Sequence, residues 1–133
     1  MTNVKLGYLI LYVDHVPATL DAWKAAFGLE IHWLHDDNNY GELATGETTL
    51  SFAEKEFGRA HFTDQATRAS FDQKPARFEI GLTVPDVQVA FDRAVACGMT
   101  PIVAPIQKPW GQTVGWVSDA NGILVELGSA MEA

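Results

Sequence analysis

Apolar and polar residues alternate with a period of two along most of the chain, and two stretches show helical spacing instead. In the first alternating stretch, residues 5–13, Leu9 and Leu11 share one face of a predicted strand. Tyr8 and Tyr12 share the opposite face. The alternation therefore predicts strands with one aliphatic face suited to packing and one face of mixed polarity.

The same order of elements, β-α-β-β-β, is predicted twice. The first half contains strands at 5–13, 30–35, 40–44 and 48–53 and a helix at 18–27. The second half contains strands at 77–83, 101–106, 113–118 and 123–127 and a helix at 87–97. Each helix precedes a glycine, a residue common at helix ends. The chain is therefore predicted to hold two similar helix-on-sheet units.

The stretch 54–74 between the halves is too polar and mixed for a regular element. It carries Phe57, His61, Phe62 and Phe71 among charged residues. A connection of this length in a small protein is usually functional or mobile. We expect a crossover with a short helical turn, which is a candidate lid.

A weak internal repeat relates the two halves. The aligned pairs are residues 12–16 with 83–87, Gly28 with Gly98 and residues 50–52 with 125–127. One helix-on-sheet unit used twice explains these matches, because each unit alone would leave a sheet face uncovered.

Composition limits the classes of partner. The 133 residues include 17 acidic and nine basic ones, for a formal net charge of −8. This balance argues against nucleic acid and anionic membranes as partners, and it suits a cationic ligand or serves solubility alone. The single cysteine, Cys97, excludes an internal disulfide and is expected on the apolar face of a helix. Because no signal peptide or membrane-spanning stretch is evident, we expect a cytoplasmic protein.

Glu126 is the first candidate for chemistry. It lies in the strand predicted at 123–127, where Val125 and Leu127 form one face and Leu124 shares the other with Glu126. A carboxylate in an otherwise apolar strand is costly to bury unless a proton, a cation or hydrogen-bond donors accompany it. We therefore expect Glu126 to have such a partner.

Three segments resemble the vicinal oxygen chelate superfamily, which includes glyoxalase I, extradiol dioxygenases and fosfomycin- and bleomycin-resistance proteins. They are ILYVDHVPATLDAWKAAFGLE, FEIGLTVPDVQVAFDRAVACGM and KPWGQTVGWVSDANGILVEL. The resemblance implies an α+β fold in which two βαβββ modules form a curved eight-stranded cup with the helices outside. It also implies one domain over 1–133, with module one at about 4–54, the crossover at about 55–75 and module two at about 76–129.

The resemblance further implies which positions face the floor of the cup. By position these are Tyr8 and Ser51 in module one and Glu79 and Glu126 in module two. Metal-using relatives usually have histidine at one or both first-strand positions, where this chain has Tyr8 and Glu79. Such a set is a poor transition-metal site, so we expect no cofactor. A hard divalent cation held by Glu79 and Glu126 is the alternative.

We expect a small-molecule-binding protein of the glyoxalase/bleomycin-resistance type that forms a homodimer, as small members of that family usually do. Its ligand is expected to be cationic or aromatic. The expected ligand-binding residues are Tyr8, Tyr12, Ser51, Trp110 and Trp116, and Trp33 and Tyr40 could also line an aromatic pocket. Ordinary packing of these rings is the competing interpretation.

The alternative function is a lyase or related enzyme of the superfamily. In that case Glu126 and Glu79 act as acid and base or hold a divalent cation. Without a metal, two carboxylates facing one cavity repel, so they share a proton, hold a cationic ligand, or are satisfied by neighbouring donors and only shape the pocket. An interaction module without a ligand is a third possibility, because a fold does not fix a function.

Overall fold

A computed structural model of the chain describes residues 3, 5–73 and 78–130. The elements of the first half are β1 (Tyr8–Val13), α1 (Val16–Phe27), β2 (Ile31–Leu34), β3 (Tyr40–Leu43) and β4 (Thr49–Glu54). Two helices follow, α2 (Lys55–Arg59) and α3 (Gln65–Asp72). The second half contains β5 (Ile80–Thr83), α4 (Val87–Ala96), β6 (Thr100–Gln107), β7 (Thr113–Ser118) and β8 (Leu124–Gly128). The predicted α+β class and the repeated β-α-β-β-β order are confirmed.

The strands form two four-stranded mixed sheets. The first has the order β1-β4-β3-β2 and the second has the order β5-β8-β7-β6. In each sheet the first and last strands of the half pair in parallel, and the remaining neighbours pair antiparallel. The chain separates into two compact units, the first with the first sheet, the second with the second sheet and Ala25–Phe27 from the end of α1.

The strand register supports the aligned pairs of the repeat. Ser51 is the Cα partner of Ile10 in the β1–β4 pair. Glu126 is the Cα partner of Gly81 in the β5–β8 pair. Ser51 and Glu126 therefore occupy equivalent positions in the two sheets, as the alignment of 50–52 with 125–127 predicts.

Both long helices begin with the same type of side-chain cap. His15 Nδ1 accepts a hydrogen bond from the backbone N–H of Ala18 at 3.0 Å. Asp86 Oδ1 accepts one from the N–H of Val89 at 3.1 Å. Such caps satisfy backbone donors that have no partner within the helix. Helix α1 thus begins at Val16, two residues before its predicted start.

Each helix covers the aliphatic face of its sheet. In the first unit Trp23 and Phe52 are fully buried, and their rings meet edge to face with centroids 5.2 Å apart. In the second unit the fully buried side chains are smaller, and they include Val125, Leu127 and Ala94. These layers leave the opposite face of each sheet to Tyr8, Ser51, Trp116 and Glu126, as the alternation predicts.

The crossover contains more structure than the single helical turn expected. Helix α2 packs Gly58 against the Tyr12 ring, and Phe71 of α3 meets the same ring edge-on at 4.7 Å. Arg59 Nε donates to both carboxylate oxygens of Asp72, at 3.0 and 3.2 Å. The two helices therefore cover one end of β1, and whether they move as a lid stays a prediction.

Two other expectations differ from the structure. Cys97 is exposed at the C-cap of α4, so its placement on an apolar helix face is wrong. The buried residues of α4 are Val87, Phe91 and Ala94. The helix ends at Ala96, so Cys97 follows its last turn instead of lying on its buried face. The strand predicted at 77–83 begins at Ile80, and Arg77 lies outside the described residues. Within the described part of the chain, every helix is too short or too polar to cross a membrane.

Candidate functional site

The carboxylate singled out in the sequence lies on the face of the second sheet opposite α4. Glu126 and Trp116 are Cα partners in the antiparallel β7–β8 pair, so their side chains are cross-strand neighbours. Glu126 is partly exposed, whereas its neighbours Val125 and Leu127 are fully buried on the helix side. The strand therefore presents Glu126 where a ligand can reach it.

The turn between β7 and β8 fixes this cross-strand register. Asp119 Oδ1 accepts hydrogen bonds from the N–H groups of Asn121 and Ile123, both at 2.9 Å. Gly122 completes the turn with a φ of 82°, a conformation that glycine adopts with little strain. The DANG turn thus holds Trp116 opposite Glu126.

Glu79 completes a carboxylate pair. It directly precedes β5, and its side chain hydrogen-bonds to Glu126. Burial raises the pKa of Glu126, the hydrogen bond and charge of Glu79 raise it further, and the nearby Lys108 lowers it. Trp116 Nε1 donates to Glu79 Oε2 at 3.0 Å. The two carboxyl groups are therefore in contact with each other and lie next to an indole ring.

Lys108 supplies a cation beside this pair. Its Nζ lies 5.7 Å from the centroid of the Trp116 ring, within the range of a cation–π interaction. The loop that carries it is closed by hydrogen bonds from Lys108 N to Gln112 O at 2.7 Å and from Gly111 N to Lys108 O at 2.8 Å. The site thus combines two carboxyl groups, an aromatic ring and the flexible cationic side chain of Lys108.

The Trp110 side chain is largely exposed, at 64%. Its Nε1 donates to Gln112 Oε1 at 3.0 Å, and Gln112 Nε2 donates to the carbonyl of Ser129 at 2.9 Å. The indole donor is therefore satisfied within the second unit, and the flat surface of the ring stays open to solvent.

A separate polar network lies on the corresponding face of the first sheet. Tyr40 Oη donates to Glu42 Oε2 at 2.7 Å, and Tyr40 is also hydrogen-bonded to Ser51. Burial raises the pKa of Tyr40, the bond to Ser51 opposes this, and the bond and charge of Glu42 add to it. Ser51 is fully buried, and its hydroxyl shares one proton between Tyr40 and the carbonyl of Leu9, which lies 3.3 Å away.

The predicted site residues thus fall into two groups. Glu79, Glu126 and Trp116 come together in the second unit, and Trp110 lies on the loop before β7. In the first unit Tyr8 is exposed near Tyr40 and Ser51, whereas α2 and α3 partly cover Tyr12. That Tyr8, Ser51, Glu79 and Glu126 face one shared hollow stays a prediction.

Sequence reasoning missed the contributions of Lys108, Gln112 and Glu42. Glu42 could have been found from its period-two spacing with Tyr40, which places both side chains on one face of a strand. The positions of Lys108 and Gln112 depend on the conformation of the loop before β7. The sequence of this loop has no periodic pattern from which that conformation could be predicted.

The residues do not fit a transition metal of the kind that the resemblance implies. Within the described ranges, no group of three or more histidine, cysteine, aspartate or glutamate side chains could hold a metal ion. The four positions on the mixed-polarity faces offer a phenol, a hydroxyl and two carboxyl groups, with no imidazole. Such a donor set is unsuited to zinc, nickel or iron.

The sequence as a whole matches known proteins. A sequence model of the Glyoxalase/Bleomycin resistance protein/Dioxygenase superfamily matches residues 5–127. The chain is also 23% identical over 128 residues to the protein YraH of Bacillus subtilis (strain 168), covering 93% of this chain and 97% of YraH.

Solved structures share its fold. A glyoxalase/bleomycin resistance protein/dioxygenase family enzyme from Burkholderia phytofirmans PsJN superposes with a TM-score of 0.79 at 17% identity, over 95% of this chain and 98% of that one. A glyoxalase-related enzyme from Fulvimarina pelagi gives a TM-score of 0.78 at 14% identity, over 95% and 88% of the two chains.

Proposed function

Because the chain belongs to the Glyoxalase/Bleomycin resistance protein/Dioxygenase superfamily, we propose that it binds a small organic molecule and needs no transition metal to do so. The observation that carries this proposal is the hydrogen-bonded pair of Glu79 and Glu126 beside the Trp116 ring. The pair is only partly covered, and it lies on the sheet face that the helix leaves free.

The chemistry of the pair favours a planar cation. Two carboxyl groups accept charge-assisted hydrogen bonds from an amidinium or guanidinium group, and these bonds are stronger than those between neutral groups. The Trp116 ring offers a flat surface that attracts cations. The net charge of −8 favours the approach of a cation over that of an anion.

Lys108 acts as an internal substitute for the ligand cation. Its ammonium lies above the Trp116 ring and lowers the pKa of Glu126. Because the lysine side chain is long and flexible, a ligand cation can displace it from the ring. Removal of the Lys108 charge should therefore strengthen binding rather than weaken it.

Three probes of one shape separate charge from stacking. Naphthamidine is cationic, naphthamide is neutral and naphthoate is anionic, so calorimetry at about pH 8 in the presence of a chelator tests the proposal directly. We expect naphthamidine to bind and the other two to bind at least about tenfold more weakly, since hydrogen bonds to charged groups are worth about 1.5–3 kcal/mol.

Matched variants assign the binding to the pair. Glu126→Gln and Glu79→Gln should each weaken naphthamidine binding about tenfold, and Lys108→Met should tighten it. Glu47→Gln removes the same charge from an exposed turn and should leave the affinity unchanged. Equal affinity for the neutral probe, no binding of any probe, or full binding by Glu126→Gln would contradict the proposal.

A second candidate function is acid–base catalysis by the same pair, as in a lyase. It is favoured by the raised pKa of Glu126 and its hydrogen bond to Glu79, because one protonated and one ionised carboxyl group can donate and accept a proton. Exchange of the C–H next to the carbonyl of simple hydroxyketones in heavy water, followed by NMR, tests it. Catalysed exchange with a bell-shaped pH dependence, lost in Glu126→Gln, would support the enzyme over the binder.

The homodimer and the cytoplasmic location expected from the sequence remain proposals. Sedimentation velocity of the purified chain measures the first directly. A single species at the mass of one chain would exclude the dimer.

A further inference from the structure

Two aromatic rings and a carboxylate meet at the outer edge of the first sheet. Trp33 on β2 and Glu42 on β3 are Cα partners, so their side chains are cross-strand neighbours. Tyr40 lies two residues before Glu42 on the same strand and therefore on the same face. The Trp33 and Tyr40 rings have centroids 5.5 Å apart and planes inclined at 59°, so they form two walls of an open corner. We call these three residues the first-sheet cluster.

The carboxylate of this cluster contacts a phenol and an imidazole. Glu42 Oε2 accepts the hydrogen bond from Tyr40 at 2.7 Å, and Oε1 lies 3.6 Å from His32 Nδ1. The His32 side chain is 66% exposed, whereas that of Glu42 is only 24% exposed. Among the ion pairs of the described residues, Glu42 has no lysine or arginine partner. A largely covered carboxylate thus lacks a permanent counter-charge.

The rings are held in place but remain accessible. Trp33 is 48% exposed, and the edge of the His35 ring packs on it with centroids 5.8 Å apart. Tyr40 is fixed by its hydrogen bonds to Glu42 and Ser51. Both rings are therefore oriented before any ligand arrives, which lowers the entropy cost of binding.

We propose that the first-sheet cluster binds a small quaternary or alkylated ammonium ion. Aromatic faces around a carboxylate attract such cations through the ring quadrupole and through opposite charge, and alkyl groups on nitrogen reduce the cost of removing the ion from water. An anion would be repelled by Glu42. A metal ion would find one carboxylate and an exposed imidazole, too few ligands for a stable site.

This proposal does not depend on the function proposed for the second sheet. The first-sheet cluster lies wholly in the first unit, and it shares no residue with the pair of Glu79 and Glu126. Each site can therefore be removed by a substitution that leaves the other intact.

Choline and its neutral isostere dimethylbutanol, in which carbon replaces nitrogen, are the probes. Titration of the full chain, followed through the indole N–H signals in a heteronuclear NMR spectrum, should shift the Trp33 signal with choline. The isostere should bind at least about fivefold more weakly, since a cation–π contact contributes about 0.5–2 kcal/mol. The signal of Trp23, which is fully buried, serves as an internal control.

Variants decide whether the first-sheet cluster is the site. Glu42→Gln keeps an acceptor for Tyr40 and should weaken choline binding at least about fivefold; Trp33→Leu should do the same. Glu47→Gln, which removes the same charge at an exposed position, should leave choline binding unchanged. Thermal melts establish whether each variant is folded. Glu42→Gln preserves the shape of the side chain, so it still tests the proposal if Trp33→Leu does not fold.

The outcomes are separable from those for the second sheet. Choline binding that survives Glu126→Gln, together with naphthamidine binding that survives Glu42→Gln, supports two independent sites. Equal binding of choline and dimethylbutanol, no shift at Trp33, or unchanged affinity in Glu42→Gln would overturn the ammonium site, whatever the result with naphthamidine.

Discussion

Ser51 and Glu126 occupy the same position in the two sheets, yet one is fully buried and the other is partly exposed. The residue beside each on the parallel neighbouring strand accounts for part of the difference. Ile10 lies beside Ser51, and Gly81 lies beside Glu126. A Cβ added to Gly81 would have no atom within 4 Å, so the second sheet has space where the first has an aliphatic side chain. Whether a carboxylate fits at this position therefore depends on the residue beside it on the parallel neighbouring strand.

The antiparallel neighbours of Ser51 and Glu126 also differ, because the carboxylate lies on a different strand in each sheet. Glu42 is the Cα partner of Ser51, whereas Trp116 is the Cα partner of Glu126. The first sheet thus has its carboxylate on the third strand of the half and a hydroxyl on the fourth. In the second sheet, the third strand has the aromatic ring and the fourth has the carboxylate. One backbone pattern consequently presents two different sites.

The largest expected effect comes from the helix-facing side, where the two units also differ. Phe52→Ala should lower the free energy of unfolding by about 3–5 kcal/mol, because it leaves a cavity beside Trp23. Urea denaturation measures the loss. Leu127→Ala is the equivalent change in the second unit, and it should cost about 2–5 kcal/mol without the loss of an aromatic pair. A cost below 1 kcal/mol for Phe52→Ala would contradict the packing described.

Ser51→Glu would place the carboxylate of the second sheet in the first. We expect it to lower the free energy of unfolding by about 2–6 kcal/mol, because overpacking and a buried polar group each cost about 1–3 kcal/mol. The new charge would also lie near Glu42. Ser51→Ala is the control, with a loss of about 1 kcal/mol for the hydrogen bonds. A stable Ser51→Glu variant would show that the neighbouring strands do not set the difference.

Much of this architecture could be predicted from the sequence. Alternation identified the strands, and the repeat showed that two similar units exist. Glu126 stood out because it interrupts an apolar strand, and the DANG turn made its cross-strand neighbours predictable. Local patterns suffice where a short turn fixes the strand register.

Other features depend on contacts that local patterns do not encode. Helix α3 is mostly polar and buries none of its residues, so its sequence lacks the apolar content that would have predicted it. The bond between Tyr40 and Ser51 depends on which strands become neighbours. The position of Lys108 above Trp116 depends on the conformation of a loop.

Glu126→Gln should remove the pH dependence that the raised pKa of Glu126 gives to the second sheet. Burial and the neighbouring Glu79 raise the pKa of Glu126 above its ordinary 4.5. As pH rises from that value through the raised pKa, the unfolded chain loses its proton first, so the folded state loses stability across this window. Above the window the cost is constant.

At about pH 8 the Gln variant should therefore be more stable than the native chain by about 0.2–1 kcal/mol, the range for a cross-strand charge pair partly screened by solvent. Below the window the two should be equal. Urea denaturation at both ends of the window measures this, and Glu47→Gln is the charge-matched control. An identical pH dependence of the native chain and Glu126→Gln would count against the carboxylate pair.

The smallest expected effect concerns the helix caps, where the backbone is the same in both units and only the side chain differs. His15 has φ −140° and ψ 106°, and Asp86 has φ −140° and ψ 107°. His15→Asp should therefore adopt the Asp86 cap without strain. It should raise the free energy of unfolding by about 0.3–1 kcal/mol, because a carboxylate also interacts favourably with the positive end of the helix dipole. The reciprocal Asp86→His should lower it by a similar amount.

Thermal melts of both variants at low salt test this symmetry, and opposite shifts of similar size are expected if the repeated backbone makes the two caps equivalent. A loss of stability in both variants would mean that the surroundings of each cap, rather than its backbone, select the side chain.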